Sequence, residues 1–338
     1  MNGNPSKTAL VLGATGGIGG EVARRLLATG WTVRALKRGL AAEREQRGGI
    51  EWRRGDALDA DAVLDAAHGC AVIVHAVNPP GYKDWDRLVL PMLDNTVAAA
   101  IANRATVVLP GTVYNYGPDV FDAPVKEHAP QHPVTRKGAI RVELERRLEE
   151  ATRRGARAIV VRAGDFFGPR AGNSWFSQGL VKPGQPVTRV SLPGDRGVGH
   201  QWAYLPDVAR TMVELLDLRD TLPAFARFHM DGHWDADGTA VAAAIARVVA
   251  RRNGLAPKVG AMPWWLLRLI APFQQTLREL LEMRYLWRKP VRMDNRRLVA
   301  TLGREPQTAL DEAIEATLEG LGCLEPTGGA GTAIARAV

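Results

Sequence analysis

An apolar run, Ala9-Leu10-Val11-Leu12, gives way at once to Gly13-Ala14-Thr15-Gly16-Gly17-Ile18-Gly19, after which Val22, Leu26 and Leu27 recur at helical spacing. A buried strand turned directly into a helix by glycines constrains the fold more than any other feature of the chain. One glycine permits the tight turn, one lets the backbone approach a pyrophosphate, and one lets helix and strand pack closely. The helix N-terminus beyond them offers unpaired N–H groups and the positive end of its dipole to phosphates. The turn therefore predicts a dinucleotide-binding unit with Gly13, Thr15, Gly16, Gly17, Ile18 and Gly19 as cofactor-binding residues; a plain glycine loop is the other reading of the motif taken alone.

The rest of the chain extends that unit. Trp31–Leu36 reads as a second strand, Ile50–Asp56 as a short third, and Asp59 as the N-cap of a helix through Ala67. Ala71–Val77 is apolar without alternation, as a parallel strand covered on both faces requires. A helix over 85–103, a fifth strand at Ala105–Leu109, a charged helix over 137–154 and a sixth strand at Ala158–Arg162 follow. Strands alternating with helices imply right-handed crossovers and an α/β, Rossmann-type doubly wound parallel sheet. Gly and Pro crowd the chain from Gly164 to Gly199, and helices are predicted near 207–217, 238–253, 263–287 and 307–321. The expected division is a dinucleotide-binding core at 1–165, a small, mainly helical substrate lobe with interleaved core elements at 166–324, and a mobile tail at 325–338.

Composition narrows the class. The 338 residues are 46% hydrophobic and 24% charged, ordinary for a globular protein. No run of about eighteen uncharged apolar residues exists, so no membrane span is predicted, and Met1-Asn2-Gly3-Asn4-Pro5 lacks the regions of a signal peptide, so a cytoplasmic protein is expected. Cys70 and Cys323 stand alone, which leaves no disulfide framework and no cysteine metal site. The net charge of +8 is carried by scattered pairs such as Arg24-Arg25 and Arg251-Arg252, which suit solvated helix faces better than a nucleic-acid surface. A positive field nonetheless favours an anionic cofactor.

The end of the second strand selects between nicotinamide cofactors, because a carboxylate there binds a ribose hydroxyl and a cation accepts a 2′-phosphate. Lys37 and Arg38 occupy that place and the first acid is Glu43, which favours NADP over NAD; a solvated basic turn is the alternative. Asp56, followed by Ala57, is placed to meet the adenine amino group or to start the next helix.

With these landmarks in order the chain resembles the short-chain dehydrogenase/reductase superfamily, in its extended or atypical branch of nucleotide-sugar epimerases and dehydratases. The resemblance rests on GATGGIG at 13–19, HAVN at 75–78, PGTVYNYGP at 110–118, GAIRVELERRL at 138–148, RAGDFFGP at 162–169 and WAYLPDVA at 202–209. It implies that Ala76 and Val77 line the cofactor and that hydride transfer is the chemistry. The family's acid/base pair is Tyr-x-x-x-Lys, in which tyrosine moves the proton and lysine holds the nicotinamide ribose. Aligning Glu145 with the family's glutamate puts Arg141 at the lysine position and Lys137 at the tyrosine position, so the dyad is degenerate. Matching Tyr116-Gly117-Pro118 to the family's pattern puts Thr112 at the hydroxyl position; a hydroxyl capping a loop is the other reading of Thr112. Lys137 and Arg141 likewise admit a second reading, a salt-bridged helix surface in which Arg141 faces Glu145. Tyr285 to Lys289 spells a literal Tyr-x-x-x-Lys, but far too late in the chain and beside Pro290.

On the substrate side, Phe166, Phe167, Asn173 and Trp175 follow the sixth strand and are cleft candidates, with Arg170 and Arg189 as basic lining. The bulky segment Pro263–Phe273, extended by Leu280, Tyr285 and Trp287, is core packing, an apolar wall over the nicotinamide, or a dimer or membrane-surface contact. Two functions remain: an NAD(P)-dependent oxidoreductase or epimerase/dehydratase-like enzyme acting on a small carbonyl or sugar-nucleotide-like substrate, and a non-catalytic NADP(H)-binding sensor. The resemblance also implies a homodimer formed through the helices at 85–103 and 137–154.

Overall fold

The computed structural model describes residues 7–79 and 84–326. Most of the expected tail, from residue 327, lies outside them, as do residues 1–6. The chain opens with β1 (Thr8–Leu12), α1 (Gly17–Ala28) and β2 (Thr32–Lys37). A hairpin of β3 (Arg44–Arg47) and β4 (Ile50–Arg54) comes next, then α2 (Ala60–Ala67), β5 (Val72–His75), α3 (Trp85–Asn103) and β6 (Thr106–Gly111). The core continues with α4 (Arg136–Thr152), β7 (Arg157–Arg162), α5 (Leu205–Asp217) and β11 (Phe225–His229).

These strands form one eight-stranded sheet in the order β11-β7-β6-β5-β1-β2-β4-β3, parallel throughout except for β3. β1 lies between β2 and β5, so successive crossovers leave it in opposite directions and open a crevice at the strands' carboxyl ends. The continuous apolar runs explain the layering. Ala9 and Val11 face α1 and α5 beside Val22, Leu26 and Met212, while Leu10 and Leu12 face the α2–α4 layer beside Leu93 and Leu144.

A second lobe grows from insertions around the core. β8 (Asp165–Phe167), β10 (His200–Tyr204) and β12 (His233–Asp235) make one small sheet, and β9 (Arg189–Leu192) pairs with β13 (Lys258–Ala261). Around them pack α6 (Ala240–Asn253), α7 (Trp264–Ile270), α8 (Gln275–Glu282) and α10 (Leu310–Gly320), over a core containing Phe176, Trp202, Ile245, Trp287 and Ile314. α9 (Arg296–Leu302) returns to the main sheet through Leu298.

Three expectations change. The third-strand region is a hairpin, turned by Gly48 and Gly49 at φ of 60° and 77° as a two-residue turn demands. The single helix at 263–287 is two α-helices with 3-10 turns at Ala271–Phe273 and Met283–Trp287, because Pro272 cannot continue the hydrogen-bond ladder. The loop-rich half also carries short strands, including β11, which extends the main sheet beyond β7.

Candidate functional site

The glycine turn behaves as its chemistry requires. Gly13 has φ of +88°, and a Cβ there would lie 2.5 Å from the Ala76 carbonyl oxygen at the end of β5. A Cβ on Gly19 would lie 2.2 Å from the Gly13 oxygen, so only glycine lets α1 come this close to β1. Gly16 is the N-cap of α1, with no side-chain cap and no acid in the first turn, which leaves the helix N-terminus open to an anion.

That terminus opens on a cleft of about 490 Å³. Gly13, Thr15 and Gly16 form its floor, Lys37 and Arg38 its wall at the end of β2, Asp56 and Ala57 its wall after β4, and Ala76 and Val77 its side at β5, with Asn78 and Met92 closing it. The other expected glycine-turn residues do not line it. Gly17 faces Leu205, Gly19 packs on Gly13, and Ile18, half-buried, packs against the core, so these residues set the turn by packing. The Lys37 ammonium lies 6.0 Å above the Trp52 ring. Arg38, largely exposed, stands 3.7 Å from the Asp56 carboxylate, whose other oxygen accepts the Leu58 N–H at 3.0 Å. Asp56 thus both shapes the turn and faces the cleft, while Asp59 caps α2 through the Asp61 and Ala62 N–H groups. Glu43, the first acid after β2, turns aside to pair with Arg54.

α4 begins at Thr135, whose hydroxyl accepts the Gly138 N–H at 3.0 Å. A Cβ on Gly138 would lie 2.2 Å from the Tyr114 oxygen, so α4 sits tight on the 3-10 turn at Val113–Asn115 that follows β6. Lys137 is buried, with Nζ 2.9 Å from Oε2 of Glu282 on α8; Oε1 of Glu282 accepts the Arg136 N–H at 3.0 Å. One turn on, Arg141 donates to the Asn78 side chain at 3.2 Å and lies 5.0 Å over the Trp85 ring. Arg141 therefore reaches the rim of the cleft through Asn78, while Lys137 faces the C-terminal lobe.

This overturns the surface-stripe reading of α4. Glu145 does not face Arg141 across solvent: it is 2% exposed and accepts from Arg162 at 2.5 Å, Arg227 at 2.9 Å, Asn115 at 3.0 Å and Gln131 at 3.1 Å. Arg162 also donates to the Thr112 carbonyl oxygen and to His229 Nε2. His229 Nδ1 donates to the Val125 carbonyl oxygen at 2.9 Å, which leaves Nε2 as acceptor for the Tyr116 hydroxyl at 3.1 Å. Burial first, and then the Arg162 charge, hold the His229 pKa down at about 3. His75, at the end of β5 and 2.8 Å from the Thr96 hydroxyl, is likewise held at about 3 by burial and then by Arg141.

The Thr112 hydroxyl lies 3.5 Å from the Asn115 side-chain oxygen at the end of β6. Tyr116, which set the frame for Thr112, is fully buried, and burial pushes its hydroxyl pKa up. Phe167 and Trp175 are core residues of the C-terminal lobe, not cleft lining, because aromatic neighbours surround both. Arg170 is drawn to Glu21 on α1 at 3.1 Å, and Asn173 accepts from Gln178. Arg189 lies over Gly260 of β13. Tyr285 stacks on Phe121 while Lys289 is exposed, so the late Tyr-x-x-x-Lys is no dyad. Sequence reasoning passed over Glu282 and Asn78. Asn78 was visible as the last residue of HAVN; Glu282 carried no local signal.

A parallel sheet with a glycine turn at its crossover point, opening on a cleft with basic residues at the end of β2, defines a Rossmann-type dinucleotide-binding protein. The profile of the NAD dependent epimerase/dehydratase family matches residues 9–228. The chain belongs to this family and is an NAD(P)-binding, epimerase/dehydratase-like protein. It is 28% identical over 228 residues to dTDP-6-deoxy-L-talose 4-dehydrogenase (NAD(P)(+)) of Kitasatospora kifunensis, covering 65% of this chain and 69% of that one. Its fold is similar to that of MoeE5 in complex with UDP-glucose and NAD, with a TM-score of 0.69 at 19% identity, over 93% of this chain and 98% of that one. It is also similar to UDP-glucose 4-epimerase from Brucella ovis in complex with NAD, with a TM-score of 0.68 at 15% identity, over 93% and 98% of the two chains.

Proposed function

We propose that this protein binds NADP(H) in the cleft at Gly13–Gly16 and carries out hydride transfer on an alcohol or carbonyl carbon of a sugar-nucleotide-like substrate. The observation that carries this reading is the meeting, in one cleft, of an uncapped helix N-terminus with Lys37 and Arg38 at the end of β2, where no acid stands on the strand end itself and the Asp56 carboxylate, 3.7 Å from Arg38, enters from the turn after β4. Cations at that place pair with a 2′-phosphate, which a carboxylate would repel. The named relatives act on, or were determined with, nucleotide sugars, which supports the substrate class.

The bound nicotinamide supplies or accepts the hydride; the chain supplies position and proton. Arg141, fixed by Asn78 and Trp85 at the rim, offers a permanent charge to a ribose hydroxyl and moves no proton, since a guanidinium does not give one up. Lys137, one turn earlier on α4, is the residue that alignment through Glu145 assigns to the family's tyrosine position. It hands a proton from Nζ to the carbonyl oxygen as reduction makes it an alcohol, with Glu282 holding the ammonium in place. Thr112 orients that oxygen. A homodimer through α3 and α4, which pack together on one face of the sheet, belongs to the same proposal; light scattering tests it.

Fluorescence titration gives the first test: NADPH is expected to bind at least about tenfold more tightly than NADH, with Arg38→Ala removing most of the difference. Equal affinities would overturn the role of Lys37 and Arg38. Turnover of a nucleotide sugar, followed by nicotinamide absorbance, should then fall by about 10²-fold or more in Lys137→Ala. Unchanged turnover removes Lys137 from the chemistry, and tight NADPH binding without turnover of any candidate leaves a nucleotide sensor.

A further inference from the structure

One stretch of the C-terminal lobe turns its apolar side outward. Trp265 is 69%, Leu269 64% and Phe273 88% exposed, with Leu266 at 38% and Ile270 at 36%. Their spacing puts them on one face of α7 and the turn after it, and α7 buries none of its residues. The helix is anchored from its other side, where the Trp264 indole donates to the Pro193 carbonyl oxygen at 2.8 Å and packs near Trp175. A held helix with its apolar face in water marks a contact surface.

The surroundings of this face say what fits it. Arg284 lies 4.9 Å from the Trp264 ring, and its pKa is pushed down by burial and then by Arg268 and Arg288, with Asp195 opposing more weakly. Among the described residues, none of Arg268, Arg284, Arg288 and Lys289 forms an ion pair. Cations gathered around the Trp264 side of α7, with Asp195 as a weaker counter-charge, on a helix that projects Trp, Leu and Phe from its other side are the composition of an interfacial helix, in which apolar groups enter the acyl boundary and the cations meet lipid phosphates. A second copy of the same face would bring two arginine clusters together, which opposes self-association. Side chains as exposed as Phe273 also project from the body instead of lining a groove.

We infer that α7 and the turn at Ala271–Phe273 form a peripheral docking surface for an anionic phospholipid bilayer, entered by Trp265, Leu269 and Phe273 and flanked by Arg268, Arg284 and Arg288. Among the described residues no helix is long and apolar enough to cross a membrane, so the contact is with the surface alone. The same segment runs on into Glu282, the partner of Lys137, so the docked face and the candidate catalytic lysine are joined by one short stretch of chain.

Flotation of the full chain with vesicles tests this without reference to turnover. Vesicles of equal parts phosphatidylcholine and phosphatidylglycerol should bind the protein, and phosphatidylcholine alone should bind it at least about tenfold less. Leu269→Asp with Phe273→Asp should lower binding about tenfold or more, and Arg268→Glu with Arg288→Glu severalfold, while about 0.5 M salt weakens what remains. An unchanged Tm shows that the exposed substitutions leave the fold intact. The inference is overturned by no binding at about millimolar lipid, by equal binding to both vesicles, or by binding that the substitutions leave unaltered. It is overturned equally if vesicles are ignored while Leu269→Asp with Phe273→Asp reduces the molecular mass in solution, which would assign the face to a protein contact.

Discussion

Replacing Glu145 with glutamine separates two arrangements whose costs differ by an order of magnitude. Had Glu145 paired with Arg141 across a solvated face of α4, the loss would be about 0.3–0.5 kcal/mol. Instead Glu145 is 2% exposed and balances Arg162, itself 1% exposed, while also accepting from Arg227, Asn115 and Gln131. Glutamine keeps the shape, removes the balancing charge and turns one accepting oxygen into an amide donor that faces other donors. Breaking one side of a buried pair costs about 3–5 kcal/mol, because the charge left behind is neither solvated nor matched. At roughly 2 °C per kcal/mol for a chain of this size, Tm should fall by about 6–10 °C. Thermal unfolding followed by circular dichroism measures it, alongside Arg162→Met and the double variant. The double variant should lose less than the sum of the singles by about 0.5–3 kcal/mol, since neither partner is then left alone. A Tm loss below about 1 °C for Glu145→Gln, or strict additivity, would refute the buried network.

The glycine turn and the buried histidines give two further tests. Gly19→Val would force α1 away from β1, because its Cβ alone would lie 2.2 Å from the Gly13 oxygen; urea denaturation should show a loss of about 1–3 kcal/mol or more, and a wild-type midpoint would sink the packing argument. His75 and His229, both held at about 3, stay neutral when folded and take a proton near 6.5 when unfolded, so the unfolded state binds more protons as pH falls from 6.5 toward 3 and stability declines over that window. Each should contribute a slope of about 1 kcal/mol per pH unit between pH 6 and 5, and His75→Gln or His229→Gln should remove its share; an unaltered slope would show that the imidazole in question is protonated in the fold.

Much of the core was legible because its signals are local. Ala9–Leu12 and Val72–His75 are continuous apolar runs, Asp59 caps α2 as its position before an apolar segment demands, and the glycines of 13–19 sit where a strand must turn into a helix. The short strands of the second half were not legible: β8, β10 and β12 are held by one another and by aromatic packing around Trp202. The β3–β4 hairpin did carry its turn signal, Gly48-Gly49, but only β4 was read as a strand, because β3, Arg-Glu-Gln-Arg, is wholly polar.

The doubly wound architecture, the cleft at the glycine turn and the basic residues at the end of β2 were readable from neighbours in the chain, because strand periodicity, turn chemistry and side-chain charge are local properties. Packing across the fold is what makes Glu145 a buried hub joined to Arg162 and Arg227, brings Arg141 to the cleft through Asn78, and pairs Lys137 with Glu282 from another lobe. Those partners lie far apart along the chain. Spacing along α4 allows Arg141 and Glu145 to meet, but burial makes an unmatched charge so costly that each takes the partner the packed core supplies.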